Sequence, residues 1–277
     1  RRIAIDATAA GIDADTVIDP DAVRLLARWF TDPAIGAVCG TAKVGNRHTL
    51  VTLWQHVEYT TGFNLDRRAY SDLNAITVVP GAIGGWRRDA VVAAGGYSGR
   101  TLAEDCDLTI TLRRRGWRVV HEPAAVAWTE APETLRGLAK QRLRWTFGTF
   151  QVLWVNRDAL FRRREGALGW LALPYAWLYQ CVLSLLGPAV DLLVLLALLT
   201  GGWTLALWWF GLATLTEMGV SWLAFRLEGE RAWPVLTLPL QRVVYRQLMY
   251  ATVIRSLLRA ARGSGMAWGK LARTGTV

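Results

Sequence analysis

The chain has 277 residues, of which 52% are hydrophobic and fifteen are Trp, a richer apolar content than a typical soluble domain carries. The formal net charge is +10, and residues 226–277 hold nine Lys or Arg against two Glu. Such a basic segment beside an apolar one favours an anionic membrane surface as partner and argues against nucleic acid. The three cysteines have no CxxC spacing, which indicates neither a zinc site nor a disulfide framework.

The first 154 residues alternate between strand-like and helix-like patterns, which predicts an α/β layer fold. Strands are expected at Ile3–Asp6, Ile35–Val44, Ile76–Val79 and Trp117–His121, and helices at about Asp21–Phe30, Thr49–Arg68, Leu102–Arg115 and Glu133–Trp154. In the first of these helices we expect Val23, Leu26, Ala27 and Phe30 to form the apolar face.

Two carboxylates one residue apart, Asp13 and Asp15, follow the first predicted strand. Both can face a hard divalent cation such as Mg²⁺ or Mn²⁺, which prefers carboxylate, water and diphosphate oxygens. An Asp-x-Asp is also common in turns, and the nearby Asp19 or Asp21 could cap the following helix. The pair therefore indicates a candidate metal site without defining one.

A second acidic group, Glu104, Asp105 and Asp107, lies in the first turn of a predicted helix. Acidic residues there favour the helix dipole, which is a sufficient structural explanation. The functional alternative is that one of the three serves as a general base at the mouth of a cleft. Between these acids, Cys106 is interpreted as a small buried hydrophobic residue.

The stretch from Gln141 to Trp145 lies within the predicted helix Glu133–Trp154. Residues at i, i+3 and i+4 share a helix face, so Gln141, Arg144 and Trp145 point the same way. An amide, a fixed guanidinium fork and a broad indole plane together suit a phosphorylated sugar. An ordinary helix near a membrane would also place Arg in solvent and Trp at the interface.

The three histidines, His48, His56 and His121, are interpreted as surface or hydrogen-bonded core residues and not as metal ligands.

The character of the chain changes after the basic run at residues 162–164, because residues 168–225 carry only two formal charges, Asp191 and Glu217. Gly201-Gly202 divides this stretch into two segments long enough to span a bilayer, which predicts a transmembrane hairpin. Alternatively, Gly187-Pro188 separates off an interfacial helix. Both acids should face protein or a polar path, because a charge in lipid is costly.

The last apolar part, residues 233–258, is interrupted by arginines and favours a basic amphipathic helix on the membrane surface. Two to four membrane crossings are consistent with the whole pattern.

Taken in order, several of these stretches resemble the membrane-embedded family 2 glycosyltransferases that make cellulose, chitin, hyaluronan and poly-N-acetylglucosamine. The matching residues are Asp13-Ala14-Asp15, Glu104-Asp105, Gln141-Arg142-Leu143-Arg144-Trp145, Gln55 to Arg68, and Trp268-Gly269-Lys270-Leu271. The segment from Gln55 to Arg68 and the ending at Trp268 are most similar to the bacterial N-acetylglucosaminyltransferase branch.

The resemblance implies a GT-A type catalytic domain over residues 1–165, followed by transmembrane and interfacial helices over residues 166–277. It implies transfer of a sugar from a UDP-sugar, with inversion, to a growing polysaccharide at the cytoplasmic face of the inner membrane. The implied partners are the donor, the polysaccharide acceptor, the lipid bilayer and accessory export or modification proteins. Nucleic acid is not among them.

The family motifs also imply residue roles. Asp105 would be the base that takes the acceptor proton, and Glu104 would help to bind substrate. The substrate-binding group would further include Gln141, Arg144 and Trp145. The metal would be held by Asp13 and Asp15 on the leaving diphosphate.

Two departures from the family pattern, and a milder third, bear on these expectations. The upstream, uridine-binding half of the catalytic domain does not precede residue 1, so the chain is expected to be an N-terminally truncated piece. The strand before Asp13 is weak, which makes Asp6 a rival for a carboxylate position, and Ala103 stands where the family has Thr. The alternatives are a non-processive transferase acting on a lipid acceptor and a catalytically inactive membrane-anchored fragment.

Overall fold

A computed structural model describes residues 8–13 and 16–262. The predicted strand Ile3–Asp6 therefore lies outside the described residues. The strands are β1 (Thr8–Gly11), β2 (Thr16–Ile18), β3 (Ile35–Val44), β4 (Gly84–Arg87) and β5 (Arg118–Thr129). The α-helices are α1 (Ala22–Ala27), α2 (Leu50–Glu58), α3 (Asp66–Asp72), α4 (Arg88–Ala94), α5 (Glu104–Arg114), α6 (Leu135–Val155), α7 (Leu173–Trp177), α8 (Ser184–Leu199), α9 (Trp203–Leu227) and α10 (Leu238–Ala261).

The five strands form one mixed sheet in the order β1-β4-β3-β5-β2, with β3 at its centre. Only β3 and β5 are parallel, and the other pairs are antiparallel. Every residue of β3 except Lys43 is buried, because helices cover both faces of the sheet. This explains why the strand is mostly apolar in the sequence, with Thr41 and Lys43 as its polar residues, and its predicted bounds are confirmed.

The two faces of the sheet have separate cores. On one face, Ala37 and Cys39 pack in a cluster with Leu108 and Leu112 of α5. On the other face, Val38 packs in a cluster with Leu26 of α1. The alternation of neighbouring β3 residues between the two clusters follows from the two-residue repeat of a strand.

The helix predicted over Thr49–Arg68 is confirmed and runs on to Asp72, but its middle is not a regular α-helix. Thr49 caps its start in a reciprocal box with Thr52. Between α2 and α3, residues Tyr59–Leu65 form π-helical turns. Such turns are frequent at functional sites, and this one precedes the buried Arg67.

Three local predictions are wrong. The segment Ile76–Val79 has its two end residues buried but pairs with no strand that the structure describes. Val79 donates its N–H to Thr109 Oγ1 at 3.0 Å, and Pro80 has no N–H to continue pairing. The strand forms instead at Gly84–Arg87, where it pairs with both β1 and β3.

The other two concern β5 and α1. The strand predicted to end at His121 continues to Thr129. Its register against β3 is irregular partway along, and its second part continues because it pairs with both β3 and β2. Val23, predicted on the buried face of α1, is 44% exposed, whereas Leu26 is buried as expected.

The C-terminal region is helical, and α10 packs against α6, α8 and α9. The predicted break at Gly201-Gly202 is confirmed, and Gly201 adopts a φ of +87° there. The alternative break at Gly187-Pro188 is wrong, since Pro188 lies inside α8. The two predicted isolated acids have protein partners on α10, as expected.

No single helix among the described residues passes a length-and-hydropathy test for a membrane span. One bent pair, Leu168–Gln180 with Ser184–Leu199, passes it jointly, with a 44° bend between the two parts.

A charged cluster joins the turn after α9 to the sheet and its helices. Glu228, whose side chain is 4% exposed, accepts from Arg68 Nη2 at 2.7 Å and lies 3.3 Å from Lys43 Nζ. Glu230 contacts the same lysine at 2.7 Å and His56 at 3.1 Å. Although partial burial opposes it, hydrogen bonds from these two partners hold the pKa of Glu230 well below its usual range.

The interpretation of the histidines agrees with this arrangement for two of them, since His56 and His121 are both buried and hydrogen-bonded.

Candidate active site

A turn at Pro80-Gly81-Ala82 brings the first two acidic stretches together. A Cβ placed on Gly81 would lie 3.0 Å from Oδ1 and 3.2 Å from Oδ2 of Asp13, so the missing side chain lets that carboxylate approach the turn. The N–H of Gly81 also donates a hydrogen bond to the carboxylate of Asp105. One backbone turn thus contacts both predicted motifs. Asp15 and Asp6 lie outside the described residues.

The Asp105 carboxylate is partly buried at the N-terminus of α5. Burial, together with the negative charges of Glu104 and Asp13, raises the pKa of Asp105 to about 6. Hydrogen bonds from Gly81 and from Cys106 N, at 2.7 Å, partly oppose this rise because they favour the ionised form. A carboxyl group whose pKa lies near neutral pH is suited to accept and release a proton.

The third acid of the α5 turn, Asp107, has a structural role. It is 2% exposed, and Arg100 donates to both of its carboxylate oxygens at 2.7 Å. Ser98 donates to one of the same oxygens at 2.5 Å. Through these hydrogen bonds, Asp107 holds the loop that precedes α5 against the helix.

Sequence reasoning missed two residues that approach the acidic group. Burial raises the pKa of Tyr97, and the negative charges of Asp105, Glu104 and Asp13 raise it further. The Tyr97 hydroxyl therefore lies near these three carboxylates. Burial lowers the pKa of Arg67, while the charge of Asp105 is among the effects that raise it. No motif marks Tyr97; for Arg67 the available signal was a basic residue inside a helix with a buried face.

The five residues Gln141 to Trp145, here named the pentapeptide, lie within α6, and their side chains differ in exposure. Gln141 is 3% exposed, and its Oε1 has no hydrogen-bond partner among the residues that the structure describes. Arg144 and Trp145 are half-buried. Trp145 packs against a cluster that includes Ala82, so it shares a hydrophobic cluster with the turn that contacts Asp13 and Asp105.

The backbone of α6 also approaches the chain just before the acidic turn of α5. A Cβ placed on Gly148 would lie 2.8 Å from Ala103 N and 3.0 Å from Leu102 C, which is closer than real contacts allow. Beside it, Gln151 Oε1 accepts from Leu102 N at 2.9 Å. The helix that carries Arg144 therefore packs closely against residues 102–103, directly before the turn that carries Asp105.

This contact yields a prediction for Gly148→Val. The added side chain must push α6 away from residues 102–103, and a displacement of about 1 Å near reacting groups costs on the order of 10²-fold in rate. We expect kcat at this site to fall by that factor while the protein stays folded, as measured by steady-state kinetics and thermal unfolding. Gly219→Val in α9, where a Cβ would meet nothing within 4 Å, is the matched control. Unchanged kcat in Gly148→Val would contradict the prediction.

The donor set fits a hard divalent cation in its chemistry. The turn gathers the Asp13 and Asp105 carboxylates and the charge of Glu104 at one place, and carboxylate oxygens are the ligands that Mg²⁺ and Mn²⁺ prefer. Within residues 8–13 and 16–262, no group of three or more His, Cys, Asp or Glu is arranged to hold a metal by itself.

Comparisons with known proteins agree with this geometry. The sequence profile of "Glycosyl transferase family group 2" matches residues 10–224. Poly-beta-1,6-N-acetyl-D-glucosamine synthase of Staphylococcus aureus (strain COL) is 30% identical over 185 residues, which are 66% of this chain and 43% of that protein. The synthase of the same name from Staphylococcus epidermidis is 32% identical over 143 residues, covering 51% of this chain and 35% of that protein.

Among solved structures, a mannosyltransferase from Pyrobaculum calidifontis in complex with GDP-Man and Mn²⁺ superimposes with a TM-score of 0.59. The alignment covers 94% of this chain and 63% of that one, at 17% identity, and shows the shared fold.

The sheet and its surrounding helices are thus the GT-A fold of a glycosyltransferase. The chain belongs to glycosyltransferase family group 2, as the resemblance implied. It spans less than half the length of the curated synthases that it matches.

Proposed function

We propose that this chain carries the catalytic centre of an inverting transferase that adds N-acetylglucosamine from a UDP-sugar to a growing polysaccharide. The observation that carries the proposal is the Pro80-Gly81-Ala82 turn, which contacts Asp13, donates to Asp105 and packs near Trp145. The named relatives, which are N-acetylglucosamine polymer synthases, support the choice of sugar.

In the proposed reaction, an acceptor hydroxyl oxygen forms a bond to the anomeric carbon of the donor sugar. Asp105 accepts the proton of that hydroxyl as the bond forms. The bond between the anomeric carbon and the diphosphate oxygen breaks, and the nucleoside diphosphate leaves with the bonding electrons. Inversion follows because attack and departure occur on opposite faces of the sugar.

The remaining site residues would bind and orient the two substrates. Arg144 supplies a fixed positive charge toward the leaving diphosphate, and Trp145 offers an apolar plane for the acceptor sugar. Gln141, with a buried and unpartnered Oε1 among the described residues, is available to orient a polar group. Glu104 would contact substrate beside the base.

A divalent Mg²⁺ or Mn²⁺ ion, when bound, would neutralise charge on the departing diphosphate. Asp13 would hold it, and Asp15 is proposed as its second carboxylate ligand. The mannosyltransferase that shares this fold binds Mn²⁺ together with GDP-Man, which supports the choice of ion for this chain.

Residues 1–165 are proposed as the part of the GT-A domain present here, and residues 166–277 as the membrane-associated region. The exposed large hydrophobic side chains concentrated in the second part support contact with lipid. A catalytic domain at the cytoplasmic face of the inner membrane, together with accessory export or modification proteins, completes the proposal.

The test is a donor screen on membranes that contain the complete protein. Labelled UDP-N-acetylglucosamine should be incorporated with Mg²⁺ or Mn²⁺ present, and the product should form a ladder of long chains on a gel. A product extended by a single sugar on a lipid would replace polymerisation with non-processive transfer. Absence of transfer from every common UDP-sugar by folded protein would refute the function.

The raised pKa of Asp105 leads to a pH prediction. A base must be ionised to accept a proton, so protonation of a carboxyl group with a pKa of about 6 removes activity as the pH falls. We expect kcat/KM to rise roughly tenfold per pH unit below that pKa and to level off above it. Initial rates across pH 4.5–8, with unfolding monitored in parallel, check this, and a flat profile below pH 6 would exclude it.

A further inference from the structure

One charged residue of the pentapeptide, Arg142, has no part in the reaction proposed above. Its side chain is 3% exposed, so its charge is removed from water. A buried charge is costly unless it is paired, and such pairs contribute little to stability compared with apolar packing. The contacts of Arg142 therefore require an explanation other than stability.

Those contacts join three helices. Arg142 Nη2 of α6 donates to Glu58 Oε2 of α2 at 2.5 Å and to Tyr245 Oη of α10 at 3.4 Å. The Tyr245 hydroxyl in turn donates to the same Glu58 oxygen at 2.5 Å. Glu58, Arg142 and Tyr245 form a closed triangle, which we name the Arg142 network.

The Arg142 guanidinium group also stacks on the indole ring of Trp145, which is proposed above to contact the acceptor sugar. Its carbon lies 4.3 Å from the ring centroid of Trp145 and 5.8 Å from that of Phe63. The two rings themselves lie 6.2 Å apart at an angle of 58°. The Trp145 indole is thus bounded by Arg142 and by Phe63 of the π-helical turns.

We propose that the Arg142 network positions the Trp145 indole, and that α10 thereby contributes to binding of the acceptor sugar. The inference rests on the proposed function, in which Trp145 contacts the acceptor. A planar guanidinium can hold its hydrogen bonds and stack on an aromatic face at the same time, which an ammonium group cannot do. Small shifts of α10 are then passed to the indole through Tyr245.

The chain offers a matched control in the Arg68–Glu228 pair. Arg68 Nη2 donates to Glu228 Oε1 at 2.7 Å, and the side chains of Arg68 and Glu228 are 30% and 4% exposed. This pair joins the catalytic part to the turn after α9 without a contact to Trp145 in the structure. It therefore provides a partly buried ion pair between the two regions, without an aromatic ring stacked on the arginine among the described residues.

The kinetic test compares Tyr245→Phe, Arg142→Lys and the control Arg68→Lys in the complete protein, with UDP-N-acetylglucosamine and a short N-acetylglucosamine oligosaccharide. Tyr245→Phe keeps the ring that packs edge-on against Trp54 and loses only the hydroxyl. We expect the acceptor KM to rise about 3- to 10-fold in Tyr245→Phe and about 10-fold or more in Arg142→Lys. The donor KM should stay unchanged in both, and both KM values should stay unchanged in Arg68→Lys.

Equal increases in the two KM values, or an unchanged acceptor KM in folded variants, would overturn the proposal. A second measurement does not depend on transfer activity. In protein labelled with 5-fluorotryptophan, the ¹⁹F resonance of Trp145 is assigned by its loss in Trp145→Phe. It should shift in Tyr245→Phe and in Arg142→Lys but not in Arg68→Lys, and a resonance that stays in place would refute the network even if no sugar donor is found.

Discussion

Replacing Asp105 with Asn is expected to abolish sugar transfer while leaving the donor bound. The amide cannot accept the acceptor proton, and loss of a positioned general base costs roughly 10²–10⁴-fold in rate. Asn is nearly isosteric, so the hydrogen bond from Cys106 N to the side-chain oxygen can persist. The measurement is kcat for label incorporation, together with the dissociation constant of the UDP-sugar by calorimetry.

The matched control is Asp89→Asn, since Asp89 is an exposed acid in the first turn of α4. It shares the helix-dipole position of Asp105 but lies away from the acidic group, and it should keep full activity. Retention of more than a tenth of the wild-type kcat by folded Asp105→Asn would assign the base elsewhere, with Glu104 the next candidate. Asp107 is less suited because both of its oxygens are held by Arg100.

Replacing Asp13 with Asn should weaken metal-dependent transfer. An amide oxygen is a neutral and weaker ligand for a hard cation than a carboxylate. Because metal stabilisation of the developing charge is worth several kcal/mol, we expect kcat/KM to fall about 10²-fold or more at fixed Mn²⁺. The measurement is transfer rate against Mn²⁺ concentration, where the half-saturating concentration should rise.

Asp21→Asn is the control for this experiment. Asp21 is an exposed acid in the same N-terminal region and pairs only with Arg24 at the surface in the described contacts, so its loss should have little effect. Chelation with excess EDTA should reduce the wild-type rate, and added Mn²⁺ should restore it. An Asp13→Asn protein with the wild-type metal response would remove Asp13 from the metal site.

The sequence predicted the elements whose signal is local. The strand Ile35–Val44 is mostly apolar and had no competing pattern. The helix α5 ends at Arg114, two residues before Gly116, which adopts a φ of +88°. The helix from Thr134 carries its own cap and its own face spacing, so the arrangement of Gln141, Arg144 and Trp145 followed from the 3.6-residue repeat.

The family motifs also indicated the class of enzyme and the candidate acids from sequence alone. They are short, but their order along the chain is specific, and the match to residues 10–224 confirms the family. The individual roles of Asp13, Asp105 and Arg144 stay predictions until the variants are measured.

What only the tertiary structure decided depends on contacts between distant segments. Whether Ile76–Val79 joins a ladder is set by the partner that its backbone finds, which here is Thr109, and no local pattern encodes that choice. Likewise, a buried arginine such as Arg142 looks the same in sequence as an exposed one. Its place beneath Trp145, bound to Glu58 and Tyr245, arises only when α2, α6 and α10 pack together.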